Sequence, residues 1–141
     1  MQRGRRLAFD YGDVRIGVAI CDPDAILSSP LTTLNATDKK LADAITAIFA
    51  EYEPVAIYVG KPSNMDGSKG ASAEKASAFA KLLSTLSTAP VMQIDERLST
   101  VSAAKNLRAS GINSREAKSR IDEAAAVAIL EFALSIEKNK A

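Results

Sequence analysis

The chain has 141 residues, 47% apolar and 25% charged, with seven Gly and five Pro, which is the size and composition of one soluble globular domain. It has no histidine and a single cysteine, Cys21, which excludes Ser-His and Cys-His catalytic pairs, His-containing zinc sites, an internal disulfide and multi-cysteine metal sites. Lys and Arg number 18 against 17 Asp and Glu, a net charge of +1 that by itself points to no polyanionic partner. Chemistry is left to carboxylates, Lys, Arg, hydroxyls, backbone amides or a metal held by oxygen.

Arg6 to Asp10 is a short apolar run ending in an acid, and Val14 to Cys21 is a second; Tyr11-Gly12-Asp13 between them predicts a hairpin. After the turn Asp22-Pro23-Asp24, Leu27 to Leu34 predicts a third strand that Pro30 pushes to an edge or to a sheet's end. The period then changes. Leu41, Ile45, Ile48, Phe49 and Tyr52 recur at helical spacing behind a cap at Thr37 or Asp38, and Pro54 closes the helix. Val55 to Gly60 is a nearly continuous apolar strand of the kind buried on both faces. A polar loop from Lys61 to Gly70 leads to a helix opened by Ser72 and Glu74, with Ala76, Phe79, Leu82, Leu83 and Leu86 on one stripe. Val91 to Asp95 is the last strand. Ser99 or Thr100 caps a short helix ending at Gly111, and Ser114 caps a longer one with Ile121, Ala125, Ala128 and Phe132 on one side.

No repeat or linker divides this order, so one domain is expected over residues 1–137, with a short tail at 138–141. Strands joined by tight turns should pair antiparallel and those joined through helices parallel, giving an α/β fold with a mixed sheet and the first strand central. Basic residues concentrate at Arg3, Arg5 and Arg6 and again at Lys105, Arg108, Arg115, Lys118 and Arg120; either run can be a solvated surface or a nucleic-acid contact. No apolar run approaches the roughly 20 residues of a membrane span, and the first residues do not read as a signal peptide, so a cytoplasmic location and no membrane partner are expected.

Asp10 ends the first strand, the edge at which open sheets with crossover helices bind ligands. Asp95 and Glu96 end the last strand, followed by Arg97. Asp122 stands among Ile121, Ala124, Ala125, Ala126 and Val127, where a carboxylate facing a core must be paired or bound to a metal; the alternative is a polar stripe shared with Lys118. Converging carboxylates call for a hard divalent cation, and Mg²⁺ or Mn²⁺ suits an all-oxygen donor set. A pair of such ions would activate water and stabilise the leaving oxygen in phosphodiester hydrolysis. The loop after Gly60 carries Lys61, Ser63, Asn64 and Lys69 as donors for phosphate oxygens and lacks the spacing of a nucleotide P-loop.

The motifs Leu7-Ala8-Phe9-Asp10-Tyr11-Gly12, Arg15-Ile16-Gly17-Val18-Ala19, Asp22-Pro23, Ser29-Pro30-Leu31, Gly60-Lys61-Pro62 with Asn64-Met65-Asp66-Gly67-Ser68, Asp95-Glu96-Arg97-Leu98-Ser99-Thr100, and Ser114-Arg115 through Ile121-Asp122-Glu123-Ala124-Ala125-Ala126 run in order along nearly the whole chain. Together they resemble the YqgF (RuvX) family, whose members are described as Holliday junction resolvases and as nucleases maturing the precursor of small-subunit ribosomal RNA. The chain departs from the family pattern at Asp13 and Val14, where a small polar residue and a Lys or Arg are usual, and at Lys61, where Leu is usual.

The resemblance implies a ribonuclease H-like fold with a five-stranded mixed sheet in the order 3-2-1-4-5, and metal-dependent cleavage of phosphodiester bonds. Carried over by position, Asp10, Glu96 and Asp122 form the catalytic and metal-binding acids, with Asp95 as an additional one. Arg15, Lys61, Asn64, Arg97 and Arg115 are candidate substrate contacts. The expected partners are structured RNA or branched DNA and a pre-ribosomal particle, with the protein a monomer or homodimer. A resolvase acting on DNA and a non-catalytic RNA-binding assembly factor are the alternatives to a nuclease that matures the 5′ end of pre-16S rRNA.

Overall fold

A computed structural model describes residues 2–62, 71–96 and 115–140. Five strands and three helices follow in chain order: β1 (Arg6–Tyr11), β2 (Arg15–Cys21), β3 (Ser28–Asn35), α1 (Leu41–Tyr52), β4 (Ala56–Lys61), α2 (Ala71–Leu86), β5 (Val91–Asp95) and α3 (Arg115–Lys140). They form one five-stranded sheet in the order β3-β2-β1-β4-β5. β1 pairs antiparallel with β2 and parallel with β4, β2 pairs antiparallel with β3, and β4 pairs parallel with β5. The expected topology and the central first strand are both present. Pro30 lies on β3, an edge strand, at the irregularity in its pairing with β2 between Val18 and Ala19, where a residue without an N–H is tolerated.

The two faces of the sheet are packed with different material, because successive residues of a strand point to opposite sides. Leu7, Phe9, Ile16, Val18, Ile57 and Val59 face α1 and α2, where Phe9 meets Phe49 and Phe79 edge-on at ring separations of 6.2 and 5.7 Å. Ala8, Ala19, Ala56 and Tyr58 face α3, which answers with Ala125, Ala126, Ile129, Leu130, Ala133 and Leu134. Small residues on both sides let α3 lie close against the middle of the sheet. Its buried stripe is therefore rotated from the expected one: Ala128 and Phe132 lie on its margin and are only partly buried. A helix that is apolar on most sides has no strong amphipathic face, and the alanine-lined sheet selects the stripe.

Local chemistry sets the element ends. α1 begins without a side-chain cap, since Asp38 is spent on the turn before it, where Oδ1 accepts from the Lys40 N–H at 2.9 Å. The helix ends at Glu53 in the left-handed region (φ 46°), its N–H on the Phe49 carbonyl at 2.9 Å, and Pro54 prevents continuation. α3 runs to Lys140, through most of the segment expected as a tail. The short helix expected before Gly111 lies outside the described residues.

At the amino end of β1 the chain departs from the sequence expectation. Arg6, grouped above with the exposed basic residues, is buried at 1% exposure. It binds Glu137 of α3 through both Nε (3.3 Å) and Nη2 (3.0 Å) and donates to the carbonyls of Gly4 and Gln2 at 2.6 Å, while the Tyr58 hydroxyl donates to Glu137 at 2.5 Å. A buried guanidinium is tolerable only with its donors filled, and this cluster fills them while fastening the end of α3 to the sheet. Cys21 sits beside it, its Sγ accepting from the Arg6 N–H at 3.2 Å, and burial pushes its thiol pKa up. Since the thiolate is the reactive form, native protein at pH 8 is expected to react with a thiol reagent only as fast as it unfolds. Rapid, denaturant-independent labelling of Cys21 would contradict this.

Candidate active site

The alternation that puts Ala8 on the α3 face puts Asp10 there too, near the carboxyl end of the central strand and only 3% exposed. Its pairing partner on β2 is Gly17, and on the other side the Phe9–Val59 pairing sets Gly60 of β4 beside it. Asp10 therefore stands in a row whose two neighbours carry no side chain. A methyl group on Gly17 would overlap the main-chain carbonyl of Asp122, so α3 approaches the sheet closely there and sets Asp122 over the β2 residue that pairs with Asp10. A methyl group on Gly60 would lie 3.0 Å from Oε1 of Glu96 and 2.5 Å from Cδ1 of Ile129.

That second contact explains how Glu96 reaches the face occupied by Asp10. β4 lies between β1 and β5, and neighbouring strands are about 4.8 Å apart. Glu96 follows β5 directly and crosses the intervening strand over the bare Cα of Gly60. Asp95, one residue earlier, belongs to the opposite side: Gln93, two residues before it, donates to Ser77 of α2 at 3.1 Å. Asp10, Glu96 and Asp122 are 3%, 7% and 1% exposed, and with Arg6 they are the buried charged residues among those described.

Asp122 meets a cation. Its Oδ2 accepts from Arg15 Nε at 2.8 Å, and Arg15, at the start of β2, is on the same face two positions before Gly17. The buried Oδ1 of Asp10 has no hydrogen-bond donor against it, although Asp10, Glu96 and Asp122 all have further interactions. The turn of α3 around Asp122 is held from the other side by Thr33 of β3, whose hydroxyl donates to Glu123 Oε2 (2.9 Å) or to the Ser119 carbonyl (3.2 Å). Of the two readings of Asp122, the buried one holds, and its partner is Arg15 rather than Lys118.

The RuvX family profile, described as Holliday junction resolvase, matches residues 4–136. The chain belongs to this family. A protein of Streptomyces coelicolor named "Putative pre-16S rRNA nuclease" is 46% identical over 140 residues, covering 98% of this chain and 84% of its own. One of Rhodococcus erythropolis with the same name is 48% identical over 135 residues, covering 92% of this chain and 76% of its own. RuvC of T. thermophilus, solved in complex with a Holliday junction substrate, superposes with a TM-score of 0.57 at 13% identity over 97% of this chain and 96% of that one. That likeness is one of fold, the ribonuclease H-like architecture expected from the motifs.

Of the remaining candidates of this RuvX-family chain, Lys61 and Arg115 fall among the described residues. Lys61 is exposed at the end of β4 and lines an open cleft of about 360 Å³ with Glu74, Ser77 and Lys81 on the α2 side. Asn64 and Arg97 lie outside the described residues, and Arg115 is the first residue of α3, about two turns before Asp122. Gly17 and Gly60 were not singled out by sequence reasoning for the site. Their signal was available, since glycine inside a strand marks a close approach of backbone or ligand. What approaches was not readable.

The donor set, three buried carboxylates from different elements on one face, suits a hard divalent cation in kind. Among the described residues, no three acidic or cysteine side chains are gathered tightly enough to hold a metal ion as they stand.

Proposed function

We propose that this chain is a cytoplasmic nuclease that uses Mg²⁺ or Mn²⁺, held by Asp10, Glu96 and Asp122, to hydrolyse phosphodiester bonds at the 5′ end of pre-16S rRNA. The observation that carries the reading is the row Gly17-Asp10-Gly60, which clears space on both sides of a buried acid and admits a second acid on each side. The RNA substrate is drawn from the names of the relatives at 46% and 48% identity. A divalent ion bound there supplies Lewis-acid polarisation of a phosphate oxygen and lowers the pKa of water. Asp10 holds it from the central strand, while Glu96 and Asp122 supply oxygen from either side. With no histidine in the chain, carboxylates are also the proton acceptors on this face.

The family description favours a second reading, a resolvase acting on branched DNA. A two-fold junction calls for a two-fold dimer, whereas trimming one RNA end does not. The test is cleavage of a transcript spanning the mature 5′ end of 16S rRNA and of a four-way DNA junction, in Mg²⁺ and in Mn²⁺. Metal-dependent cutting of the RNA, lost in Asp10→Asn, is the expected result. Cutting of the junction alone would move the reading to a resolvase; binding of RNA without cutting in either ion would leave an assembly factor.

Gly60→Ala separates positioning from folding. The added methyl meets the free ends of Ile129 and Glu96, which can swing aside, so the stability cost should stay near ~1 kcal/mol. Displacing a carboxylate by about 1 Å is worth up to ~100-fold in rate. A melting temperature close to wild type with cleavage reduced more than tenfold is therefore expected; unchanged cleavage would remove Glu96 from the chemistry.

A further inference from the structure

We propose that Arg15 is a built-in counter-cation for the carboxylate site, occupying Asp122 when no divalent ion is bound and giving way when one is. This rests on the metal-binding reading above. Asp122 is 1% exposed, and a carboxylate buried to that degree needs a positive partner in every state of the protein. The guanidinium supplies it through Nε at 2.8 Å. One of the three buried acids already carries a cation, which an ion taking oxygen from Asp122 would have to displace.

The structure also says which partner moves. The backbone of Asp122 is pressed against Gly17 on one side, and Thr33 holds Glu123, the next residue, and Ser119, three residues earlier. Arg15 is a long side chain at the first residue of its strand, 24% exposed, with solvent to move into. A divalent ion brings twice the charge of a guanidinium and takes several oxygens at once, so it outcompetes a single N–H contact. In the metal-free protein Arg15 sets a positive charge against the buried Asp122. Its cost is a weaker affinity for the ion.

The experiment is a Mg²⁺ titration of wild-type protein followed by NMR, reading the Arg15 Nε–H resonance and the amides of Asp10 and Asp122, together with Mn²⁺ calorimetry on wild type, Arg15→Gln and Arg15→Lys. The Arg15 Nε–H should be protected from exchange without metal and lose protection as Mg²⁺ saturates the site. Arg15→Gln, which removes one positive charge a few ångströms from the ligands, should bind Mn²⁺ roughly tenfold tighter or more, and Arg15→Lys, which keeps the charge, should stay near wild type. A merely structural role predicts the reverse, because a loosened site binds metal more weakly.

Protection that persists at saturating Mg²⁺, or affinity in Arg15→Gln equal to or below wild type, overturns the proposal while leaving the metal site standing. The absence of any Mg²⁺-induced shift at Asp10 and Asp122 overturns the metal reading itself. The wild-type NMR arm decides the matter even if Arg15→Gln fails to fold.

Discussion

Asp10→Asn is expected to lower phosphodiester cleavage by at least ~100-fold, since even the outer partners of metal ligands are worth roughly 10–100-fold and Asp10 would be a ligand itself. The substitution keeps the shape of the side chain and removes one negative charge from a buried group of three carboxylates. Like charges held together in a poorly solvated site destabilise the fold, so the melting temperature should be kept or raised. Loss of activity without loss of stability is the signature of a residue held in place for chemistry. Calorimetric melting and a cleavage time course in Mg²⁺ measure the two quantities on one sample. A variant that cleaves within a few-fold of wild type would remove Asp10 from the mechanism, and with it the row of glycines that frames it.

Gly17→Ala is expected to damage both fold and activity. Its methyl would overlap the carbonyl carbon and oxygen of Asp122 and lie 3.0 Å from the Glu123 nitrogen. These are backbone atoms of a helix and cannot rotate away as the tips of Ile129 and Glu96 can at Gly60. α3 must shift, disturbing the close contact of Ala8 and Ala19 with Ala125 and Ala126. Overpacking of this kind costs about 3 kcal/mol at the upper end of the usual range. For a chain of this length that is a fall of roughly 10 °C in melting temperature. Because the same movement carries Asp122 away from Asp10, cleavage should fall by about 100-fold as well. A melting temperature within a degree or two of wild type would show that α3 does not seat on Gly17.

The two glycines thus make a matched pair, one against backbone and one against flexible side-chain ends. Comparing their alanine variants separates the seating of α3 from the reach of Glu96.

The order of elements was legible in the sequence because it rests on local features. Tyr11-Gly12-Asp13 marks the hairpin, Pro30 an edge, Pro54 a helix end, and the uninterrupted apolar run after it a buried strand. Asp122 was legible as an anomaly, a charge inside an alanine-rich helix, and Asp10 as an acid at the binding edge of the sheet. Arg6 was not legible, because the carboxylate that buries it lies 131 residues away. Nor was the face of α3: its weak amphipathicity leaves the choice to the alanines of β1 and β2.

By itself the sequence determined the type of chemistry available: no histidine and a single cysteine leave carboxylates, Lys, Arg, hydroxyls, backbone amides or a metal held by oxygen. Tertiary structure alone decided which acids come to one face of the sheet. Glu96 lies over the bare Gly60 on the side of Asp10 and Asp95 belongs to the other side, because strand alternation separates the two. Arg15 meets Asp122 for the same kind of reason. Periodicity and turn chemistry act between neighbours along the chain, whereas charge compensation and close approach act between groups that only the sheet and its covering helix bring together.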